Sequence, residues 1–177
     1  VTTKDIVLIA LFAALTAAMG LFPAFNIPMI GVPITVQTFG FMLAGALIGA
    51  KRGALAMLLF VLLLAVGFPL LSGGRGGLGI FLGPSGGYIL AWPLVAGLIG
   101  LLYSKLKQPT PWQEFLIMVA GGIVLEYAIG IPWVAMAANL PLAKAALGSA
   151  AFIPGDIVKI VLAILIIRPV RRAFPGW

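Results

Sequence analysis

Asp156 and Lys159 stand three residues apart in FIPGDIVKIVLA, where an apolar stretch opens that runs from Phe152 to Val170. On a helix that spacing puts the carboxylate and the ammonium on one face. Pro154 and Gly155 break the chain just ahead of them, and an acidic residue suits a helix N-terminus. A local cap with an ion pair at a membrane surface would account for both. A polar pocket accounts for them better, because Lys159 begins a helix that is otherwise wholly apolar. A charge at the centre of a span costs about 2.5 to 3.5 kcal/mol, less toward an interface.

Glu126 lies inside GGIVLEYAIGIPW, on one helical stripe with Gly122, Gly130 and Trp133. A lone buried carboxylate must be protonated or find a cation. Lys159 is a candidate partner, and a proton relay is the other chemistry such a group admits. Arg75 sits in SGGRGGLGIFLGPSGGY, Ser72 to Tyr88, a tract with eight glycines. No lysine followed by serine or threonine closes a GxxxxG frame there. The dinucleotide spacing GxGxxG also fails, since Leu82 takes its last position after Gly77 and Gly79. Nucleotide binding is therefore not expected. A flexible outer loop would fit the glycine content, but Ile80, Phe81, Leu82 and Tyr88 are too apolar for a solvated linker. The tract is expected to fold back as a lid or re-entrant cap over a pocket.

The elements that must position these groups follow from composition. Of 177 residues 63% are hydrophobic and 8% charged, which a soluble domain of this size cannot bury. The absence of histidine and cysteine removes thiol and imidazole chemistry and the usual zinc sites. No serine stands in a recognisable nucleophile setting either, so an enzyme is not expected. Six segments are long and apolar enough to span: about Ile6 to Phe22, Val36 to Ala50, Gly53 to Leu71, Gly86 to Tyr103, Phe115 to Ala138 and Phe152 to Val170. An all-α membrane protein in a single domain, residues 1–177, is expected.

Lys4, Lys51, Arg52, Lys105, Lys107, Arg168, Arg171 and Arg172 fall on one side of such a protein, with only Arg75 and Lys144 in the opposite loops. The positive-inside bias then puts both termini in the cytoplasm. It also explains the formal charge of +7 without nucleic acid. Pro28, Pro33, the glycine tract and Pro141 to Gly155 all lie on the outer side, which is therefore read as the functional face. In the first span, Ala10, Ala14 and Ala18 recur at every fourth position, with Ala13 and Ala17 beside them. Small residues so spaced allow close helix approach, within the chain or to another membrane protein.

GVPITVQTFG (Gly31 to Gly40), GGRGGLGIFLGPSGGY (Gly73 to Tyr88) and PGDIVK (Pro154 to Lys159) together resemble the BioY family, the substrate-binding subunits of energy-coupling-factor biotin transporters. The resemblance spans essentially the whole chain. Ser85 is a departure, standing where threonine is more usual, and it keeps the hydroxyl.

The resemblance implies a six-helix vitamin-binding subunit of a bacterial or archaeal cytoplasmic membrane. It implies a biotin pocket near the outer face and no cofactor or metal. Docking to a transmembrane coupling subunit, driven by two ATPase subunits, would use Ala10, Ala14 and Ala18. Arg75, Tyr88, Asp156 and Lys159 would form the pocket, joined by Gln37, Gly76 and Gly77 from the same motifs. The chemistry of biotin agrees: Asp156 can accept the ureido N–H bonds, and Lys159 or Arg75 can meet the carbonyl or the carboxylate. Tyr88, Phe39, Tyr127 and Trp133 could line the apolar part. The competing expectation is a stand-alone channel or proton-coupled carrier for biotin or another small vitamin, with Glu126 as the relay.

Overall fold

The computed structural model describes residues 2–174 and is predominantly helical. Helix α1 (Thr3–Met19) starts from a reciprocal cap in which the Thr2 hydroxyl takes the Asp5 N–H and the Asp5 carboxylate takes the Thr2 N–H. A two-stranded hairpin follows, β1 (Phe25–Ile27) against β2 (Val32–Ile34), with Phe25 opposite Ile34. The stretch expected as irregular outer loop is thus partly a hairpin, and Pro33 fits because neither strand has a second neighbour. Next come α2 (Thr38–Val66), the single turn α3 (Gly79–Leu82) and α4 (Gly86–Ser104). Then α5 (Pro111–Val119) runs through a π-helical segment (Ala120–Leu125) into α6 (Glu126–Ala137). Helices α7 (Leu142–Ala150) and α8 (Ile153–Ala173) meet at a 48° bend.

The expected second and third spans correspond to the two helical arms of α2, with their outer ends corrected: α2 starts at Thr38 rather than Val36 and ends at Val66 rather than Leu71. It breaks at Gly49, where φ is 82° and ψ is 176°. A methyl on Gly53 would lie 3.0 Å from the Cα of Gly45. In an unbroken helix residues eight apart are separated by about 12 Å, so the chain folds back on itself here. The reversal falls at the glycine rather than at the basic pair Lys51–Arg52, because that backbone geometry is open essentially to glycine alone.

By length and composition α2, α4 and Pro111–Ala137 can each cross a bilayer, and the bent pair α7–α8 makes a fourth candidate. The chain is a multi-pass membrane protein. Its packed centre joins α1, α2, α4 and α8 through Phe12, Phe41, Phe60, Trp92 and Ile160. Val7, Leu62, Leu94 and Leu165 face outward at 55–64% exposure, an apolar girdle suited to lipid.

One end of the bundle carries the basic residues. There Arg52 holds Asp5 at 2.6 Å and Arg168 holds the buried Glu114 at 2.9 Å.

The fold-back gives a paired test. Gly49→Ala should lower unfolding stability in detergent by about 1 to 3 kcal/mol, through backbone strain alone, since nothing lies within 4 Å of the added methyl. Gly97→Ala, inside α4 with its nearest neighbour at 3.6 Å, should be neutral or stabilising. Equal effects of the two changes would mean that Gly49 is not a strained reversal.

Candidate functional site

Opposite the basic end, the hairpin, the glycine tract and α4, α6, α7 and α8 converge. Helix α8 begins after Phe152, and the Asp156 N–H closes its first turn on the Phe152 carbonyl at 2.9 Å. The Asp156 side chain, 4% exposed, faces inward. One carboxylate oxygen accepts the Tyr127 hydroxyl at 2.5 Å, and the other pairs with Lys159 at 2.7 Å. Lys159 also donates to the Thr38 hydroxyl at 2.6 Å and to the Thr35 carbonyl at 3.2 Å. All three ammonium protons therefore have acceptors, the condition under which a buried pair is tolerated.

Aromatic rings make the wall beside this pair. Tyr88, Tyr127 and Phe152 meet edge to face, with centroids 5.7 to 6.3 Å apart, the arrangement that ring quadrupoles favour. Tyr88 donates its hydroxyl to Ser149 at 2.8 Å. Its ring lies against the backbone of Gly130, where a side chain would collide with it. Behind them Trp92 donates to Glu126 at 3.2 Å.

These groups enclose a cavity of about 550 Å3, counted with its opening. Of the residues singled out from sequence, Arg75, Tyr88, Asp156, Lys159, Gln37 and Tyr127 line it.

Two of these six contribute in ways their residue types alone did not indicate. Gln37 is fully buried and its amide is committed to protein: it donates to the Thr16 and Leu70 carbonyls and accepts from the Ser72 N–H. Arg75 stands exposed at the rim, and among the described residues only its Nε is bonded, to the Ser72 carbonyl at 3.2 Å.

Four others stand outside the wall. Phe39 packs against the central core instead. Trp133 lies on Gly87 and donates to the Gly83 carbonyl at 3.1 Å, so it braces the glycine tract. Gly76 lies against the Phe68 carbonyl, and Gly77, at a φ of 93°, donates to the Leu64 carbonyl at 2.8 Å. Both fasten the tract to the end of α2. The pairing of Glu126 with Lys159 that sequence raised is also corrected: Lys159 is taken by Asp156, and the donor to Glu126 is Trp92.

Trp92, Thr38 and Phe152 line the cavity and were not among the site residues expected; Glu126, singled out as a mid-span carboxylate and relay but not placed in the pocket, lines it too. Signals existed for some of them. Trp92 lies one turn after Tyr88 on the same face, Thr38 adjoins Gln37, and Glu126 adjoins Tyr127. Together the groups suit a ligand with N–H donors for Asp156, an apolar body for the rings and an anionic end for Arg75.

The BioY family model matches residues 1–176. The chain is 46% identical over 180 residues to the biotin transporter BioY of Rhizobium etli, covering 98% of this chain and 96% of that one. It is 40% identical over 169 residues to the probable biotin transporter BioY of Bacillus subtilis, covering 96% and 91%. A crystal structure of the S-component for biotin from an ECF-type ABC transporter superposes with a TM-score of 0.92 at 35% identity. That match covers 97% of this chain and 95% of the other.

The local network predicts an unequal pair of tyrosine effects. Tyr127→Phe removes a bond to a buried carboxylate and should cost about 1.5 to 3 kcal/mol of unfolding stability. Tyr88→Phe removes a neutral bond to Ser149 and should cost about 0.5 to 1.5 kcal/mol. Chemical unfolding of the purified variants in detergent measures both, and a reversed order would mean that Asp156 does not depend on Tyr127.

Proposed function

The chain belongs to the BioY family, and from that premise we propose that it captures biotin and takes it up as the substrate-binding subunit of an energy-coupling-factor transporter. The observation that carries this reading is the cavity itself, with a buried Asp156–Lys159 pair inside and an uncommitted guanidinium at the rim. Biotin is a neutral ureido and thioether ring system on an apolar chain that ends in a carboxylate. The neutral rings belong among Tyr88, Trp92, Tyr127 and Phe152, where Asp156 retains lone pairs for ureido N–H groups. The charged end belongs at the wet rim, because a carboxylate is costly to desolvate. Lys159 has no donor to spare, so Arg75 is the cation assigned to it.

In this reading residues 1–177 form one membrane domain with six spans: α1, the two arms of α2, α4, α5 through α6, and α8. Both termini and the basic end face the cytoplasm of a bacterium or archaeon, following the positive-inside bias. The glycine tract is the lid over the pocket, with Gly76 and Gly77 at its fixed base. Ala10, Ala14 and Ala18 are exposed on α1, whereas Ala13 and Thr16 on its other side are buried. That uncovered face supports docking to a transmembrane coupling subunit, with two ATPase subunits supplying the energy. Glu126, buried in the cavity wall, supports a second reading as a proton-coupled carrier.

Binding and coupling are separable. Asp156→Asn and Lys159→Ala should each weaken biotin binding by about 1 to 3 kcal/mol in titration calorimetry. The parent should prefer biotin to its uncharged amide, and Arg75→Ala should erase that preference. Equal affinity of parent and variants for both ligands would overturn the pocket. Ala14→Trp should abolish uptake in cells that hold the partner subunits and leave biotin binding intact. Uptake by the chain alone that collapses with the proton gradient would favour the carrier.

A further inference from the structure

At the basic end, α2, α4, α5 and α8 leave a second cavity, about 1410 Å3 with its wide mouth. Its wall carries Lys107, Arg168, Arg171 and Arg172 against one carboxylate, Glu114. Glu114 is 3% exposed and is matched by Arg168 at 2.9 Å. Arg171 donates to the Ala46 carbonyl at 3.3 Å and lies over the Tyr103 ring, 4.9 Å from its centroid. Lys107 and Arg172 form no ion pair among the described residues. Three positive charges are left uncompensated.

Cations near the C-terminal ends of α4 and α8 complement the helix dipoles, which explains their sign. It does not explain Tyr103. This side chain is 2% exposed and lines the same cavity. Its hydroxyl is the one buried side-chain polar atom without a hydrogen-bond partner among the described residues. A stranded hydroxyl costs free energy until something accepts its proton. The cations around it cannot accept one, and an anion can, while meeting the uncompensated charges as well.

We propose that this cavity is a phosphate site, occupied by the headgroup of an anionic phospholipid. Basic pockets between spanning helices suit such headgroups. Exposed apolar surface for the acyl chains lies close by, at Phe174 in the cavity wall. The site is independent of the biotin pocket, which lies at the other end of the bundle.

The delipidated chain in detergent is titrated with phosphatidylglycerol and with phosphatidylcholine of the same acyl chains, bound lipid being counted by native mass spectrometry. Inorganic phosphate is titrated separately by calorimetry. Phosphatidylglycerol should bind about tenfold tighter than phosphatidylcholine. Tyr103→Phe should weaken that binding about two- to tenfold without loss of thermal stability. The double variant Lys107→Gln with Arg172→Gln should weaken it further and leave biotin affinity unchanged. Equal binding of the two lipids, or full retention of phosphatidylglycerol by both variants, overturns the proposal. Tight binding of inorganic phosphate with no preference between lipids overturns the lipid as occupant.

Discussion

The half of this protein opposite the basic end is arranged around one constraint, the burial of a carboxylate and an ammonium at the end of a membrane helix. Removing each ion from water costs several kcal/mol, and their mutual attraction offsets this only if their other hydrogen bonds are also made. Three elements supply them. Tyr127 comes from α6, Thr38 opens α2, and Thr35 precedes it just after the hairpin. Each donor or acceptor must then be held in turn, which is why Tyr127 is wedged against Tyr88 and Phe152 and why Tyr88 is tied to Ser149. Removing Asp156 would leave Lys159 buried with neutral acceptors only, a larger loss than the single ion pair suggests.

Charge placement elsewhere follows the same dielectric logic. The chain has four acidic residues, and all are engaged in the structure: Asp5 and Glu114 by arginines at the basic end, Asp156 by Lys159, and Glu126 by Trp92. Between the two ends, lipid-facing positions such as Val7, Leu62, Leu94 and Leu165 are apolar. The π-helical segment before α6 serves the same economy. A wider turn offsets the residues that follow it, and here Glu126 and Tyr127 come directly after it and both face the cavity.

Sequence carried the class, the family and the pairing of Asp156 with Lys159 in the cavity wall, because these rest on local signals. Apolar runs mark spans, the skewed lysines and arginines mark one side, and the spacing of Asp156 to Lys159 puts both on one face. Long-range packing was not legible. Phe39 and Tyr88 look alike as aromatic neighbours of glycine-rich motifs, and only the direction of each helix sends Phe39 to the core and Tyr88 to the cavity. The reversal at Gly49 was hidden for another reason: Lys51 and Arg52 mark a loop by charge, whereas backbone geometry decides where the chain can turn. Trp92 and Thr38 carry no charge, and only their places one turn after Tyr88 and next to Gln37 marked them.

The glycine tract joins a fixed part to an adaptable one. Gln37 spends its amide on three segments at once, binding the Thr16 carbonyl, the Leu70 carbonyl and the Ser72 N–H, so the start of the tract is locked to α1 and to the end of α2. Although Gln37 lines the cavity, these bonds make it a positioning residue with little left for a ligand. Arg75 follows three residues later, held by a backbone bridge to Leu71 and one side-chain bond to Ser72. Among the described residues its guanidinium makes no other bond. The rigid base keeps the polar pair and rings in register, and the exposed guanidinium sets a positive charge at the cavity mouth. Because the anchor is a neutral amide rather than another charge, it competes with neither Arg75 nor Lys159 for an anion, and the tract delivers its positive charge to the mouth undiminished.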